Sequence, residues 1–340
     1  MSKKRILYIG QYSEGATSKM RADELKNIIG TDCFDIIDTN IPFFNSSKWI
    51  RAVGFRYKVG PLISRINRFI IKNLKKRNYD LIWVDKAIFI TKNTTEQLRE
   101  STDKLVHFTP DCAFYANSST YFNSSVALYD KLVTTKSFEM NNYNQLVSAN
   151  KIVLVTQGFY KQIHRVNQGV EKKKHVLFIG LCEPSREDLL SFLVENGVFV
   201  VIAGFGWEKF NKKYLSTGRV NYLGSGVFSK EYSQLISSSY FALGCLSKKF
   251  PETHTTRTFE IPACGTILVT EKNDELASFY NEDEVVFYEN KLELINKLNY
   301  LFSKPQEMQL IAAKGHSRVH RDGRDYASII KNVLDEVYEY

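Results

Sequence analysis

Short apolar runs alternate with longer amphipathic segments along the whole chain. Between the apolar runs stand segments with helical periodicity, such as REDLLSFLVENG and SKEYSQLISSSY. Alternation of strands and helices predicts parallel sheets that are covered by helices on both faces. The strand candidates are RILYIG, FDIIDT, LIWVDK, LVHFT, KLVTT and KIVLVT in the first half, and HVLFIG, VFVVIAG, RVNYLG, YFALGCL, GTILVT and EVVFYE in the second.

Two sets of strands in 340 residues indicate two Rossmann-like domains rather than one large sheet. The polar stretch VNQGVEKKKH, residues 166–175, is the predicted boundary. We therefore expect an N-terminal domain over 1–165 and a C-terminal domain over 176–315. The remaining residues, 316–340, end in DYASIIKNVLDEVYEY, a predicted helix expected to cross back to the first domain. A cleft between two facing domains is the default ligand site of such a fold.

The composition is that of a globular protein, with 44% hydrophobic and 24% charged residues. No apolar run approaches the roughly 20 residues that a membrane span requires. The start, MSKKRILYIGQY, has an apolar stretch of strand length only, so we predict no secretory signal. The five cysteines are scattered, which favours free thiols in a reducing compartment. The expected location is the cytoplasm.

The stretch KKFPETHTTRTFEIPACGTILVTEK, residues 248–272, places charged and hydroxylated side chains directly before a buried strand. We predict that Glu252 lies in a loop and that Glu260 lies in a short helix whose N-terminus carries Thr255 and Thr256. Free N–H groups and the helix dipole attract anions there, and Arg257 can pair with phosphate. Glu260 could accept hydrogen bonds from a ribose diol. The alternative is an ordinary helix cap with a solvated glutamate.

This stretch, as E-THTTRTF-E-IPACGTILVT, resembles the C-terminal half of group 1 glycosyltransferases with the GT-B fold. The likeness is strongest to the bacterial branch that includes spore-coat maturation proteins. In that family two glutamates separated by seven residues flank the sugar-nucleotide site, and a glycine closes the following turn. Glu252 and Glu260 match the glutamates, and Cys264-Gly265 matches the turn. The likeness covers residues 176–335.

Two further segments extend this resemblance. FIGLCEPSRED resembles the strand and basic loop that meet the donor's phosphates, with Gly180 in the loop. Many relatives have an Arg and a Lys in that loop, whereas this chain has Arg186 alone. IAGFGW and NYLG resemble the next two strands, and Gly204 is expected to shape a turn on the donor side. The resemblance thus implies donor contacts by Gly180, Arg186 and Gly204.

The first half offers fewer signals. Gly10 and Gly15 follow the first strand and suit a backbone that approaches a ligand, although a plain turn has the same residues. In relatives this loop faces the acceptor, so Arg21 is a predicted acceptor contact. His107 lies at a predicted strand end, although a lone histidine is more often structural. Asp111 follows a strand and is the candidate carboxylate of the cleft, or else a solvated turn residue.

The resemblance implies a fold and an activity. The fold is GT-B, an α/β class with two facing Rossmann-like domains, parallel sheets and an interdomain cleft. The activity is transfer of a sugar from a nucleotide-sugar co-substrate to a glycan or lipid-linked acceptor, in bacterial surface polysaccharide synthesis. The resemblance also implies retention of anomeric configuration. No Asp-x-Asp motif stands in the candidate site, which agrees with chemistry that needs no metal or other cofactor.

In this mechanism Arg257 and Arg186 stabilise the departing diphosphate. Glu252 holds the reacting sugar, with Asp111 and His107 as further catalytic candidates. One alternative is a nucleotide-sugar epimerase of the same architecture. The other is a non-catalytic nucleic-acid binder, suggested by basic and aromatic residues. No RNA-binding motif accompanies them, so nucleic acid is not an expected partner.

The net charge of +9 is concentrated in one segment. No acidic residue stands between Asp38 and Asp80, and this gap holds ten of the 46 basic residues, leaving 36 against 37 acidic ones elsewhere. SRINRFIIKNLKKR, residues 64–77, predicts a helix with a cationic stripe. We expect it to contact anionic membrane lipid or the phosphates of a lipid-linked acceptor, or to be an ordinary surface helix. The stripe comprises Arg65, Arg68, Lys72, Lys75 and Lys76.

Overall fold

The computed structural model describes residues 4–30, 33–75 and 78–338. Lys76 of the predicted stripe lies outside these residues. The chain divides into two compact units, Met1–Thr156 with Tyr326–Tyr340, and Gln157–Asp325. The first division precedes the predicted boundary at 166–175, and the second follows residue 315 by ten residues.

The first unit is a six-stranded parallel sheet in the order β2-β1-β3-β4-β5-β6. Its strands are β1 (Ile6–Gly10), β2 (Phe34–Asp38), β3 (Tyr79–Asp85), β4 (Thr102–Thr109), β5 (Lys131–Thr134) and β6 (Ile152–Leu154). Its α-helices are α1 (Thr17–Ile29), α2 (Asn40–Phe44), α3 (Lys48–Tyr57), α4 (Pro61–Asn73), α5 (Lys92–Glu100), α6 (Thr120–Ser125), α7 (Met140–Asn144) and, from the end of the chain, α15 (Tyr326–Tyr338).

The second unit has a six-stranded parallel sheet in the order β12-β11-β10-β7-β8-β9. Its strands are β7 (Lys173–Ile179), β8 (Val200–Ala203), β9 (Val220–Tyr222), β10 (Ser239–Leu243), β11 (Ile267–Glu271) and β12 (Val286–Tyr288). Its α-helices are α8 (Pro184–Glu195), α9 (Glu208–Tyr214), α10 (Ser229–Ser237), α11 (Arg257–Ala263), α12 (Asp274–Phe279), α13 (Lys291–Phe302) and α14 (Pro305–Arg321).

All the predicted strands are present, and the predicted class of two parallel Rossmann-like sheets is confirmed. The central strands are buried along their whole length, as β1 and β8 show, because helices cover both faces of a parallel sheet. Two apolar clusters cover the opposite faces of the second sheet, and a third lies in the first unit. Val, Ile and Phe therefore stabilise these strands in two ways, by their propensity for β-strands and by burial on both faces of the sheet.

Each sheet has one point where the strand order reverses. In the first unit β1 continues to β2 on one side, and β3 then pairs with β1 on its other side. In the second unit β7 continues to β8 and β9, and β10 then pairs with the other edge of β7. Ligands of open α/β sheets bind in the crevice outside the carboxyl ends of the strands at this reversal. Each unit therefore has one topologically favoured ligand site.

The basic helix predicted over 64–77 is α4, which begins at Pro61 and ends at Asn73. Proline at the first position has the backbone angle of a helix and needs no N–H partner there. The apolar face is buried as predicted through Leu62, Ile66 and Ile70. The helix therefore ends at Asn73 rather than at the predicted residue 77, and Lys75 lies beyond its C-terminus.

Candidate active site

The crevice of the second unit lies between the loop that follows β7 and the loop that follows β10. The two loops are connected, because the Ser247 hydroxyl donates to Glu183 Oε2 at 3.1 Å. The backbone N–H of Ser247 donates to Glu252 Oε2 at 3.0 Å. Glu183 also faces the Arg186 guanidinium, with Oε1 3.2 Å from Nη1. These bonds fix both walls of the crevice.

Two arginines, one from each wall, act on the same partly buried thiol, that of Cys245. Burial raises the pKa of Cys245 to about 12, while the guanidinium groups of Arg186 and Arg257 oppose that rise. Both cations therefore lie close to the carboxyl end of β10. Arg186 lies in the first turn of α8, and Arg257 is the first residue of α11. The chain thus brings two positive charges 71 positions apart to one end of the sheet.

The same crevice holds buried polar atoms that have no hydrogen-bond partner among the described residues. Native structures satisfy the large majority of such atoms, so a group of orphans indicates a missing ligand or solvent. All four can donate a hydrogen bond to an oxyanion. They are Arg186 Nε, Thr253 Oγ1, Thr255 Oγ1 and Arg257 Nε.

The short helix predicted before β11 is present as α11, with Thr256 at its N-cap position. Thr255 immediately precedes it, as predicted, and its backbone N–H donates to Thr258 Oγ1 at 3.2 Å. The helix has only seven residues, including Pro262. The dipole of so short a helix is weak, so the arginine side chains supply most of the positive potential here.

Glu260 lies in the first turn of α11 and is buried. Its Oε2 accepts a 2.6 Å hydrogen bond from the Tyr232 hydroxyl, and its Oε1 is 3.7 Å from His164 Nε2. Burial, and next the Glu260 charge, raise the pKa of Tyr232 well above its usual value. His164 Nδ1 accepts from the Tyr160 N–H, so the neutral ring carries its proton on Nε2, towards Glu260. A carboxylate has about four acceptor sites, so further donors can still bind Glu260.

Glu252 lies in the loop before α11, as predicted, and its side chain is partly buried. It binds the backbone of Ser247, which in turn binds Glu183. The carboxylate therefore shapes the loop that closes the crevice. Its predicted contact with a sugar stays a prediction.

Gly180 and Gly204 stand where β7 and β8 end, and their backbones nearly touch. A Cβ on Gly204 would lie 1.9 Å from the Gly180 carbonyl oxygen, and Gly204 has φ 144°. That carbonyl oxygen accepts a 2.8 Å hydrogen bond from Trp207 Nε1. Both glycines therefore serve close backbone packing at the edge of the crevice, and their predicted donor contact stays a prediction.

Arg21 is in the interior of the first unit, with 1% of its surface exposed. Its Nε and Nη2 donate to the two oxygens of Asp85 at 2.8 and 3.0 Å. Asp85 also accepts from the Tyr8 hydroxyl at 2.9 Å. The predicted contact of Arg21 with an acceptor does not fit this placement, because a buried, paired guanidinium is a structural group.

The glycines after β1 have backbone roles in the structure. A Cβ on Gly10 would lie 2.9 Å from Ser18 Oγ and 3.0 Å from Asp85 Cβ, so glycine permits helix α1 to approach the strand. Gly15 has φ 78°, a left-handed turn conformation that favours glycine. Gly15 therefore has the conformation of an ordinary turn, which was the alternative to a ligand contact. A contact of Gly10 or Gly15 with an acceptor stays a prediction.

His107 lies within β4 and is buried, with its ring against Phe122 and Tyr129. Burial lowers its pKa to about 3, so the ring is neutral near pH 7. Its Nε2 lies 3.4 Å from the Ala87 nitrogen, a long hydrogen bond. The catalytic role predicted for His107 is not supported, because no substrate atom can reach a ring enclosed in this way. The structural alternative describes it.

Asp111 follows β4, and its partly exposed side chain lines a pocket near the reversal point of the first sheet. Its Oδ2 is 2.6 Å from Lys86 Nζ. Burial tends to raise the pKa of Asp111, but the ammonium of Lys86, together with the charges of Lys136 and Arg21, more than offsets this and holds it below its usual value. Lys86 has φ 62°, a conformation that non-glycine residues rarely adopt outside functional sites and turns. The pair lines a pocket of about 150 Å³ with Gln11, Asn40 and Asn117.

The cationic stripe predicted on α4 is divided by the fold. Arg65 Nη1 donates to Ser46 Oγ at 3.2 Å, and Lys75 Nζ pairs with Asp35 Oδ1 at 2.5 Å. Two of its cations line an open groove of about 720 Å³, namely Arg68 and Lys72. The stripe therefore does not act as one continuous surface.

Several residues of the crevice carry no sequence signal of their own. Tyr232 and His164 surround Glu260, and Ser247 with Glu183 ties the two walls together. Each is distant in sequence from the residue it contacts. The one available signal was Thr253, which belongs to the threonine-rich stretch.

No group of three or more His, Cys, Asp or Glu side chains that could hold a metal ion occurs in the part of the chain that the structure describes. Among those same residues, no helix is long and apolar enough to cross a membrane.

Part of the chain is similar to a family of known proteins. The family model described as "Glycosyl transferase-like" matches residues 186–335, which include Arg186, Glu252, Arg257 and Glu260. No protein of curated function matches the chain by sequence.

Solved structures resemble the chain over nearly its whole length. HepE of Anabaena, crystallised in complex with UDP-glucose, has a TM-score of 0.66 at 16% identity, covering 99% of this chain and 100% of HepE. Sucrose-phosphate synthase of Thermosynechococcus elongatus has a TM-score of 0.68 at 12% identity, covering 99% of each chain. AviGT4, a glycosyltransferase of avilamycin A biosynthesis, has a TM-score of 0.62 at 12% identity, covering 98% of this chain and 97% of that one. These likenesses confirm the predicted GT-B fold.

Proposed function

We propose that this chain is a glycosyltransferase of the GT-B type that takes a sugar from a nucleoside diphosphate sugar bound in the crevice of the second unit. The observation that carries this proposal is the set of unsatisfied donors on Arg186, Thr253, Thr255 and Arg257. A diphosphate supplies several anionic oxygens, and arginine pairs with phosphate through two parallel hydrogen bonds. The epimerase and the nucleic-acid binder are less well supported, because the matching family is one of glycosyl transfer.

The chemistry follows from the charges that develop. As the bond between the sugar C1 and the diphosphate breaks, positive charge spreads over the sugar ring and negative charge gathers on the leaving group. Arg186 and Arg257 stabilise that negative charge with fixed donors, which costs no reorganisation during the reaction. Glu252 contacts the sugar, and Glu260 accepts hydrogen bonds from the ribose. We propose retention of anomeric configuration and independence from metal ions, and EDTA should leave turnover unchanged.

HepE binds UDP-glucose in its crystal structure, so a uridine diphosphate sugar is the first donor to test on this chain. Asp111 is the proposed acceptor contact. An ionised carboxylate accepts hydrogen bonds from sugar hydroxyls, and the lowered pKa of Asp111 favours this role over proton abstraction. We propose a glycan or lipid-linked acceptor in bacterial surface polysaccharide synthesis. The reaction would take place in the cytoplasm, at the inner face of the membrane.

Calorimetry with UDP and with uridine tests the diphosphate site. We expect Arg257→Ala and Arg186→Ala each to weaken UDP binding by about 10- to 150-fold, since a hydrogen bond to a charged group contributes roughly 1.5–3 kcal/mol. Uridine has no phosphate, so its affinity should stay within about twofold.

Arg219→Ala is the matched control. Arg219 is an exposed arginine of the same unit that directly precedes β9, an edge strand of the sheet. It should leave UDP affinity unchanged. Equal UDP affinity in Arg219→Ala and Arg257→Ala would refute the assignment of the diphosphate site. Release of UDP from UDP-glucose by the parent protein, lost in Arg257→Ala, would connect the site to the reaction.

A further inference from the structure

The segment from residue 41 to residue 59 exposes an unusual number of large apolar side chains. Trp49 is 82% exposed, the highest value among the large hydrophobic residues that the structure describes. Trp83 and Trp207, the other two tryptophans, are fully buried. Scattered single apolar residues are normal on a surface, whereas a cluster indicates an interaction site. The exposed members are Ile41, Phe44, Trp49, Val53, Phe55, Tyr57 and Val59, seven of the twenty in the described residues.

Helix α3 is fixed to the unit by its inner side, so this exposure is not the result of an unpacked helix. Gly54 is buried, and a Cβ there would lie 2.6 Å from the Leu62 side chain of α4. Ile50 is partly buried against the core of the first unit. Ser47 caps the helix N-terminus by accepting from the Ile50 N–H. The outer side of a well-packed helix is therefore left apolar.

The same segment is cationic without compensation. None of Lys48, Arg51, Arg56 and Lys58 forms an ion pair with another described residue, and no acidic residue occurs between Asp38 and Asp80. The Arg51 guanidinium lies over the rings of Phe43 and Phe44, at 5.8 and 5.4 Å. Cations and aromatic rings therefore share this segment, and no described residue forms an ion pair with these four cations.

We propose that this aromatic-cationic surface, residues 41–59, docks the protein on an anionic lipid bilayer, with Trp49 and its apolar neighbours inserted among the headgroups. Tryptophan and tyrosine favour the membrane interface because one end of each ring is apolar and the other polar. Lysine and arginine on the same surface reach the lipid phosphates. The inference does not depend on the donor or on glycosyl transfer, and it relocates the membrane contact from α4 to α2 and α3.

A bilayer fits this surface better than a folded partner does. The apolar side chains of this cluster are distributed around a helix and its flanks, each between 40% and 82% exposed, and a fluid interface can surround each of them. A folded partner would need a matching pocket for every one. The uncompensated positive charge adds selectivity for an anionic leaflet. An acidic protein or a nucleic acid shares only the charge part of this chemistry.

Trp49 is a built-in probe, because it is the one exposed tryptophan of the three. The full chain should sediment with vesicles of phosphatidylcholine and phosphatidylglycerol but not with phosphatidylcholine alone. Its fluorescence should move to shorter wavelength on binding, since Trp49 leaves water. Binding should fall steeply in high salt because surface charges are screened.

Paired variants separate insertion from charge. Trp49→Ser with Phe55→Ser should weaken vesicle binding by at least about tenfold, through lost apolar contact. Arg51→Gln with Arg56→Gln should weaken it by about 25-fold at low salt, because each cation near an anionic surface changes affinity about fivefold. The matched controls are Leu292→Ser with Leu310→Ser, and Lys209→Gln with Lys212→Gln, all exposed residues of the second unit. These controls should bind vesicles as the parent does.

Three results would overturn the proposal. One is no sedimentation with anionic vesicles, and another is sedimentation without a change in Trp49 fluorescence. The third is equal loss of binding in the surface variants and their controls. Tight binding of a single-stranded oligonucleotide without vesicle binding would assign the surface to nucleic acid instead. UDP affinity is measured in parallel, so failure of membrane docking and failure of the diphosphate site remain distinguishable.

Discussion

Replacement of Gly204 by alanine tests how the edge of the crevice is built. The new Cβ would lie 1.9 Å from the Gly180 oxygen and 2.6 Å from its carbonyl carbon, so the ends of β7 and β8 would have to separate. Overpacking of this kind costs roughly 1–3 kcal/mol. The φ of 144° adds roughly 1–3 kcal/mol for a residue with a side chain. Displacing the Gly180 oxygen also breaks the bond from Trp207, worth about 1 kcal/mol.

Gly218→Ala is the matched control for this change. Gly218 also has a positive φ, 62°, but nothing lies within 4 Å of the point where its Cβ would stand. The control should therefore lose only about 1–2 kcal/mol of unfolding free energy, the cost of the left-handed conformation. The difference between the variants isolates the close approach and should be about 2–4 kcal/mol. For a unit of this size that corresponds to a gap of roughly 5–15 °C in melting temperature.

Calorimetric melting of both variants measures the gap, and hydrogen exchange of peptides from 173–225 localises it. The Gly204 variant should also bind UDP more weakly, because the Cys182 N–H donates to the Phe205 oxygen at 2.9 Å and ties the donor loop to the same turn. Melting of the two glycine variants within about 1 °C of each other would refute the reasoning. So would faster exchange in the Gly218 variant alone.

Three other predictions concern single side chains. Arg21→Met should lower the unfolding free energy by about 3–5 kcal/mol, because it leaves the Asp85 carboxylate buried without its cation, and UDP affinity should not change. Calorimetric melting that shows a smaller loss in Arg21→Met than in the double variant Arg21→Met with Asp85→Leu would contradict the prediction. His107→Gln should flatten the pH dependence of stability between about pH 6.5 and pH 3. The folded ring has a pKa of about 3 and cannot take the proton that the unfolded chain binds, so the parent loses about 1.4 kcal/mol of unfolding free energy per pH unit as the pH falls. Urea titrations measure this slope, and parallel pH profiles of variant and parent would contradict the prediction. Glu252→Gln keeps an oxygen for the Ser247 N–H, so UDP affinity should hold while turnover of UDP-glucose falls at least about tenfold, and equal losses in both would make Glu252 a loop residue only.

The fold was predictable because its signals are local. Each strand is an apolar run bounded by glycine or polar residues, and the HVLFIG run became β7 with Gly180 directly after it. The loop position of Glu252 and the helical position of Glu260 followed from the strands on either side. The membership of the branch that includes spore-coat maturation proteins stays a prediction.

What the sequence did not reveal was pairing over distance. Arg21 looks free next to a glycine-rich loop, but its partner Asp85 is 64 positions away. Lys75 looks like part of a helical stripe, but Asp35 is 40 positions away. His107 looks accessible at the end of a strand, yet Phe122 from another element covers it. Whether a charge is neutralised is a property of the tertiary fold, and no periodicity encodes it.

The two crevices are built alike but differ in how their charged side chains are paired. At the reversal point of the first sheet, two cations have a carboxylate partner, since Arg21 pairs with Asp85 and Lys86 with Asp111. At that of the second sheet, Arg186 pairs with Glu183, whereas Arg257 forms no ion pair in the described residues and its Nε has no hydrogen-bond partner. A neutralised crevice suits a polar, uncharged group such as a sugar hydroxyl. A crevice with an unpaired guanidinium and unsatisfied hydroxyls suits an anion, because the oxygens of an anionic ligand can accept the hydrogen bonds for which the protein provides no acceptor. The distribution of ion pairs therefore favours the diphosphate on the second unit and the acceptor hydroxyl on the first.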